Sequence, residues 1–382
     1  MRLKLGMVGG GQGAFIGGVH RIAARLDGHW DLVAGALSSD PGRAIASAMD
    51  LGIAPDRSYT DFSAMAAAEA ARPDGIDAVA IVTPNHLHAP VATAFLNAGI
   101  PVICDKPMTA TLEEAEALAE LVAQTGLPFI LTQTYTGYPM VREARALVAQ
   151  GAIGRIRHVQ VEYLQDWLVE PIEHAGHKQA GWRTDPALSG AGGCIADIGT
   201  HAFNLACFVT GLSPCEVLAD LTAFGAGRRV DDNAAVMLRF DQGAKGMIWA
   251  SQIAPGMKNA LRIRIAGEGG GLGWDQEHPE DLAFTPTGEP TRTLRRGGEG
   301  ATSLTRTPAG HPEGYLEAFA TLYADAAQVV TAFHEARVGD PAGILPGVSD
   351  GLLAMRFVAA CIRSSRNGGQ WLPVGPKSPE FR

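Results

Sequence analysis

The residues best suited to chemistry lie in one stretch, Gly192-Gly193-Cys194-Ile195-Ala196-Asp197-Ile198-Gly199-Thr200-His201. Asp197 and His201 are four apart, and an apolar run of helical character follows through Phe203, Leu205, Ala206, Phe208 and Val209. On a helix that spacing puts both side chains on one face, one turn apart. A carboxylate beside an imidazole fixes the ring's orientation and stabilises its protonated form, which suits a general acid or base. The same pair also reads as an Asp near the positive end of a helix dipole and a His packed in a core. Cys194 lies in the same stretch, but no activating base is evident beside it, so the thiol is the weaker candidate.

A second set of candidates sits where strands end. Lys4 to Val8 alternate into a buried strand, Gly9-Gly10-Gly11-Gln12-Gly13-Ala14 follows, and a helix begins at Phe15. Gly9, Gly11 and Ala14 fit G-x-G-x-x-G/A: a tight turn, a close backbone approach to a pyrophosphate, and a small residue keeping helix and strand together. Free N–H groups at the helix start would face the phosphates. The next strand, Leu32–Leu37, ends at Ser38-Ser39-Asp40-Pro41-Gly42-Arg43. Asp40 before Pro41 looks like a helix cap, Ser38 stands nearest the strand end, and Arg43 could approach a 2′-phosphate, so NAD and NADP both remain open.

The alternation continues with helices at Ala44–Leu51 and Phe62–Ala71, then the strand Ala78–Val82 ending in Thr83-Pro84-Asn85-His86-Leu87-His88. Helix Pro90–Ala98, strand Pro101–Cys104, Asp105-Lys106-Pro107, helix Thr111–Thr125 with Thr111 and Glu114 at capping-box spacing, and strand Pro128–Leu131 complete the pattern. Strands alternating with helices predict a doubly wound parallel sheet, whose ligands sit at the carboxyl ends of the strands.

Beyond it the pattern changes. Helix Tyr138–Gln150 and strand Arg157–Tyr163 precede an irregular stretch, Gln165 to Gly192, carrying Asp166, Trp167, His174, His177, Trp182, Arg183 and Asp185. Long loops of this kind serve as lids or binding walls. Two histidines without an acidic or cysteine set make a weak metal site, and no metal is expected. After the key helix, about Ala196–Val209, the stretches Cys215–Thr222, Asp232–Phe240, Ala244–Ser251 and Ala260–Ala266 predict an antiparallel sheet. Pro286–Gly310 reads as a long mobile excursion, and Tyr315–Glu335 and Gly347–Arg366 as helices.

The chain has 382 residues, 46% hydrophobic and 19% charged, which suits two soluble domains. A net charge of −9 argues against nucleic acid or an anionic membrane as the main partner. The N-terminus lacks a signal-peptide layout, and the five cysteines show no metal-finger spacing and read as reduced thiols, so the cytoplasm is expected.

Taken in order, the glycine turn, Thr83-Pro84-Asn85 with His88, Asp105-Lys106-Pro107 and Gly192-Gly193 through Asp197-x-x-x-His201 resemble the glucose–fructose oxidoreductase/inositol dehydrogenase (Gfo/Idh/MocA) family. The resemblance spans nearly the whole chain. The family usually has Glu-Lys-Pro where this chain has Asp105-Lys106-Pro107, a change that keeps the charge and the lysine. The stretches Gly9–Arg21, Gly137–Arg145, Gln165-Asp166-Trp167, Trp182-Arg183-Thr184-Asp185 and His311-Pro312-Glu313-Gly314-Tyr315 look most like the branch with levoglucosan dehydrogenase and scyllo-inositol/L-glucose dehydrogenases.

That resemblance implies an α/β protein: an N-terminal Rossmann-type doubly wound parallel sheet at 1–133, and at 134–382 an α+β domain with a mostly antiparallel open sheet for substrate binding and oligomerisation. It implies a nicotinamide cofactor, NAD or NADP, near Gly9, Gly11, Gln12, Ala14, Phe15, Ile16, Ser38, Ser39, Arg43, Thr83, Pro84, Asn85, His88, Asp105, Lys106, Gln133, Trp182 and Arg183. It implies a sugar, anhydrosugar or cyclitol substrate near Lys106, Tyr163, Gln165, Arg183, Asp197, His201 and His311. His201 would be the general base, Lys106 would stabilise the alkoxide, and Asp197 would orient substrate and His201. A dimer or tetramer through the second domain's sheet is implied as well. An NAD-retaining glycosidase-like enzyme of the same fold, and a non-catalytic sugar or dinucleotide sensor, are the competing expectations.

Overall fold

The apolar runs of the first third pair as parallel strands β1 (Leu3–Gly9), β2 (Trp30–Ala36), β3 (Ala78–Val82), β4 (Val102–Cys104) and β5 (Phe129–Leu131). These belong to a computed structural model that describes residues 2–298, 305–337 and 343–375. The strand order is β2-β1-β3-β4-β5. All five residues of β3 are buried, as expected of an inner strand in a sheet covered on both faces. The chain leaves β1 toward β2 on one side and returns to β3 on the other, which makes the carboxyl end of β1 a topological switch point.

Local chemistry sets where the connecting helices start. Asp40 and Asp61 cap the helices Pro41–Asp50 and Phe62–Ala71, each accepting a backbone N–H at 2.7 Å. Thr111 and Glu114 form the capping box of Leu112–Thr125, at 3.2 and 3.1 Å, and Gly126 ends that helix with φ +65°.

The compact unit built on this sheet runs to Gly137 and also takes in Tyr315–Leu352. The sequence reading puts everything after 133 into the second domain, yet the helix Tyr315–His334 packs here. Its Phe319, Tyr323, Ala327 and Val330 share a core with Val19, Ala23 and Trp30, and the Trp30 indole donates to the Tyr323 carbonyl at 2.8 Å. An amphipathic pattern shows that a helix must bury one face, not against which distant element.

The second unit comprises Tyr138–Gly314 and the stretch from Leu353 onward. Its strands are β6 (Ile156–Leu164), β7 (Pro214–Thr222), β8 (Asn233–Phe240), β9 (Lys245–Ser251), β10 (Ala260–Gly267), β11 (Gly270–Asp275), β12 (Asp281–Pro286), β13 (Arg292–Arg295) and β14 (Leu372–Pro373). They form one sheet, ordered β13-β12-β11-β10-β6-β9-β8-β7-β14, antiparallel except for the β6–β9 pair. The sequence reading misses β11 to β14. Gly270, Gly271 and Gly273 dilute the β pattern of β11. The expected excursion at 286–310 instead begins as a hairpin, with β13 paired to β12; residues 299–304 of it lie outside the described ones.

Alternation divides this sheet into two faces. Ala234, Val236, Leu238, Ile248 and Ala250 are buried on the inner one. The helix Thr200–Thr210 belongs to the same core, and its Phe203 stacks on Phe357 with ring centroids 4.0 Å apart. Met237, Met247 and Trp249 on the other face are exposed, with Met237 directly opposite Met247. Among the described residues no helix is long and apolar enough to cross a membrane.

Candidate functional site

In the first unit the predicted residues gather at the carboxyl ends of β1 to β5. Gly9, Gly10 and Gly13 all have positive φ, which is why glycine occupies them. Gly11 lies against the Leu37 carbonyl, where an added Cβ would stand 2.7 Å from the oxygen. The sequence reading gives Ala14 the task of keeping helix and strand close. The closest approach of helix and turn is at Gly17, whose Cβ would stand 2.4 Å from the Gly10 Cα. Ala14 is the N-cap of the helix Phe15–Leu26, with no side-chain cap and no acidic residue in the first turn. That leaves the opening N–H groups without a competing side-chain acceptor and suits an anion. Phe15 is exposed, and Ile16 packs partly against the core beneath. Gln12 turns away: its amide donates to Asp50 at 2.7 Å, and its backbone N–H donates to Ser47.

After β2, Asp40 is consumed as a cap and its own N–H bonds to the Ser38 hydroxyl at 3.2 Å, while Ser39 and Arg43 are exposed. After β3, the Thr83 hydroxyl is buried without a partner, and after β5 so is the Gln133 side-chain oxygen. Buried polar atoms are costly unless bonded, so both positions fit a polar ligand. With the glycine cradle, they fit a dinucleotide.

His88 braces two of these loops. It is 1% exposed, with Nδ1 2.7 Å from the Pro107 carbonyl and Nε2 2.9 Å from the Thr83 carbonyl. Only an imidazolium can donate to both. Burial opposes that charge and pushes His88 below the ordinary histidine range, although Asp105 pulls the other way. Both nitrogens are engaged within the protein, so His88 positions Thr83 and Pro107 and has no ring nitrogen left over for the cofactor. Asn85 is buried at the start of the same loop, beside exposed Pro84. Asp105 accepts the Lys106 N–H at 2.9 Å and the Thr132 hydroxyl at 3.1 Å. Burial pushes the Asp105 carboxyl up, but the imidazoles of His20 and His88 and the Lys106 ammonium outweigh it and hold it well below the usual range. Lys106 is half-buried and joined to Pro107 by a cis peptide bond.

In the second unit, Asp197 and His201 lie at the head of the predicted helix. That helix is not α-helical throughout: Ile195–Gly199 is a π-helical turn, and the α-helix is Thr200–Thr210. Such turns are common at functional sites. One oxygen of Asp197 accepts the Gln252 amide at 2.8 Å and lies 3.5 Å from Arg183 Nε. His201 is 8% exposed, and the Tyr163 ring centroid lies 6.1 Å from its own. Arg183 also stacks on Trp182, 4.7 Å from the ring centroid. Tyr163 Oη and the Gln165 amide both donate to Asn259 Oδ1, each at 2.8 Å. Cys194 is buried, and burial first, then Asp231 and Asp197, push its thiol far above the usual range, so it is no nucleophile. His311 stands apart: its side chain is exposed, and its carbonyl accepts from Arg296 and Thr307.

The stretch read as an irregular loop contains the short helices Lys178–Arg183 and Pro186–Ser189. His177, weighed as a metal ligand, caps the first through Nδ1 at 3.2 Å from the Ala180 nitrogen. Arg228, nearly fully buried, ties the stretch down through Glu173 at 2.7 Å and the Leu168 carbonyl at 2.6 Å, with Asp232 at 2.9 Å on its other side. Sequence reasoning missed Gln252, Asn259 and Arg228. Gln252 sits just past the end of β9 and Asn259 just before β10, where no periodicity marks them; a polar residue next to a strand end is the one available signal.

Residues 3–133 match the model of the oxidoreductase family with an NAD-binding Rossmann fold, and residues 141–273 match that of the GFO/IDH/MocA C-terminal domain. An oxidoreductase from Sinorhizobium meliloti is 50% identical, with a TM-score of 0.88 over 97% of this chain and 99% of that one. An inositol dehydrogenase homolog from Azotobacter vinelandii, complexed with NADH and myo-inositol, is 35% identical, with a TM-score of 0.89 over 98% of each. Levoglucosan dehydrogenase in complex with NADH and levoglucosan is 27% identical, with a TM-score of 0.83 over 98% of this chain and 100% of that one. The chain therefore belongs to the Gfo/Idh/MocA family of oxidoreductases and is an NAD(P)-dependent dehydrogenase.

Proposed function

We propose that this enzyme oxidises a ring hydroxyl of a sugar, anhydrosugar or cyclitol, with His201 as general base. The observation that carries the reading is the Asp197 carboxylate, fixed by Gln252 and Arg183 one turn ahead of a buried imidazole. Alcohol oxidation needs a base near neutral pH and a cation for the developing alkoxide. His201 takes the hydroxyl proton at a ring nitrogen, Lys106 Nζ donates to the hydroxyl oxygen, and Asp197 orients substrate and ring. NAD, when bound, would supply the hydride acceptor, and the glycine turn, Thr83 and Gln133 would hold and orient it.

The second unit's polar groups favour a neutral, hydroxyl-rich substrate. Arg183 is matched by Asp197, and Tyr163, Gln165 and Asn259 supply uncharged donors and acceptors. The myo-inositol and levoglucosan in relatives' structures support this class. NADH in the same structures favours NAD, and exposed Arg43 is the cation a 2′-phosphate would meet. We also propose self-association through the outer sheet face, supported by exposed Met237, Met247 and Trp249. The test is reduction of NAD⁺, and separately NADP⁺, against inositols, aldoses and levoglucosan. The reading expects turnover with at least one polyol; a flat panel with cofactor bound too tightly to exchange would instead favour a transiently oxidising, NAD-retaining hydrolase.

A further inference from the structure

The start of the helix that carries Asp197 and His201 rests on one residue of the β7–β8 connection. Asp231 accepts the Gly193 N–H with Oδ1 at 2.8 Å, the Ile195 N–H with Oδ2 at 2.7 Å, and the Cys194 N–H with its own carbonyl at 2.7 Å. Three consecutive N-terminal donors, which would otherwise be orphans, thus go to a single side chain and its backbone. The glycine pair is cut to this contact. A Cβ on Gly193 would stand 2.1 Å from the Asp231 carbonyl oxygen, and one on Gly192 would stand 2.9 Å from Ile195 Cγ2.

The next residue completes the arrangement. Asp232 accepts the Gln252 N–H at its carbonyl at 2.9 Å, and Gln252 is the residue whose amide holds Asp197. Its carboxylate takes the Phe224 and Gly225 N–H groups and Arg228. One dipeptide therefore sets both the position of the helix and the donor that orients Asp197.

We infer that Asp231 is a positioning residue for the Asp197–His201 pair: it fixes where the π-helical turn begins and, through that, where both side chains stand. The inference rests on the proposed roles of Asp197 and His201. An ordinary surface N-cap accepts one or two amides from the residues that follow it in its own helix; this one is half-buried and reaches across 36 to 38 positions of sequence. The titratable groups facing it are Cys194 on the turn, Cys361 on the helix Val348–Arg366, and neighbouring Asp232. Burial raises Asp231 to about 6 against the pull of the two amides, and neighbouring Asp232 adds to the rise. Both carboxyl oxygens are thus engaged by backbone amides, whichever protonation state burial favours.

The experiment compares wild type with Asp231→Asn, which keeps one acceptor and turns an NH₂ toward the other amide, and with Asp231→Glu, which keeps both acceptors but shifts the helix start by a methylene. Misplacement on that scale costs roughly tenfold to a hundredfold in turnover. We expect kcat to fall by that factor in either folded variant, the substrate deuterium isotope effect on kcat to rise, and KM and Kd for NAD to stay within about twofold. A merely structural residue would lower thermal stability and leave kcat per bound NAD and the isotope effect unchanged, and that result overturns the inference. Should Asp231→Asn fail to fold, Asp231→Glu decides. Should wild type oxidise no polyol, the proposed function fails first, and the inference is then judged by the His201 ring resonances: unchanged chemical shifts and titration between wild type and the folded variant overturn it.

Discussion

Asp197 owes its orientation to partners that carry no sequence signature. The pair Asp197 and His201 could be read from spacing, because one helical turn is a local property. Gln252 and Asn259 could not, since their effect depends on which strand ends meet. Replacing Gln252 by Ala removes the donor to Asp197 while leaving Arg183, and should lower kcat about tenfold with little change in NAD affinity, as steady-state kinetics and calorimetric titration would show. The glycine turn was readable as a motif, but the contact between Gly10 and Gly17 was not, because the pattern is silent on which small residue meets Gly10. Gly17→Ala puts a Cβ 2.4 Å from that backbone. It should cost about 1–3 kcal/mol in denaturant unfolding and weaken NAD binding.

At the scale of elements, the parallel sheet was legible because buried strands and capped helices announce themselves locally. The stretch 165–192 was legible as a loop and not as an anchored one. Its anchor, Arg228, is distant in sequence and buried between Glu173 and Asp232. Arg228→Met would leave those two carboxylates buried without their cation. Loss of one member of a buried ion network costs about 3–5 kcal/mol, measurable by urea unfolding. Beyond stability, substrate KM should rise more than NAD KM, since Arg183 belongs to the freed stretch. Strand β11 escaped notice for the opposite reason: its glycines read as turns although its register with β10 is regular.

For the whole molecule, charge and association give two further expectations. Asp105 is depressed, so its contribution is present above the ordinary carboxylate range and is lost only as pH falls through its lowered value. Asp231 acts with the opposite sign. Its folded value of about 6 exceeds the unfolded one, so the native state retains a proton the unfolded chain has lost. Stability from this group therefore falls as pH rises from about 4 to about 6, by at most about 3 kcal/mol. Asp231→Asn should remove that slope from a series of urea midpoints. Association is tested by Met247→Glu, opposite Met237 on the outer face. Light scattering should show a smaller species than wild type; an unchanged mass places self-association elsewhere. The sheet's alternation foretold two faces, but its exposed methionines had meaning only once Met237 and Met247 were seen side by side.

The central claim is tested most directly by following NAD⁺ reduction with a panel of inositols, aldoses and levoglucosan, using wild type and His201→Ala side by side. The account predicts turnover by wild type with at least one polyol. For the variant it predicts a loss of about 10²–10⁴ in kcat, the usual worth of a general base, with NAD affinity retained. Near-normal turnover in His201→Ala would contradict the assigned base, and no reduction by wild type with any member of the panel would contradict the proposed reaction.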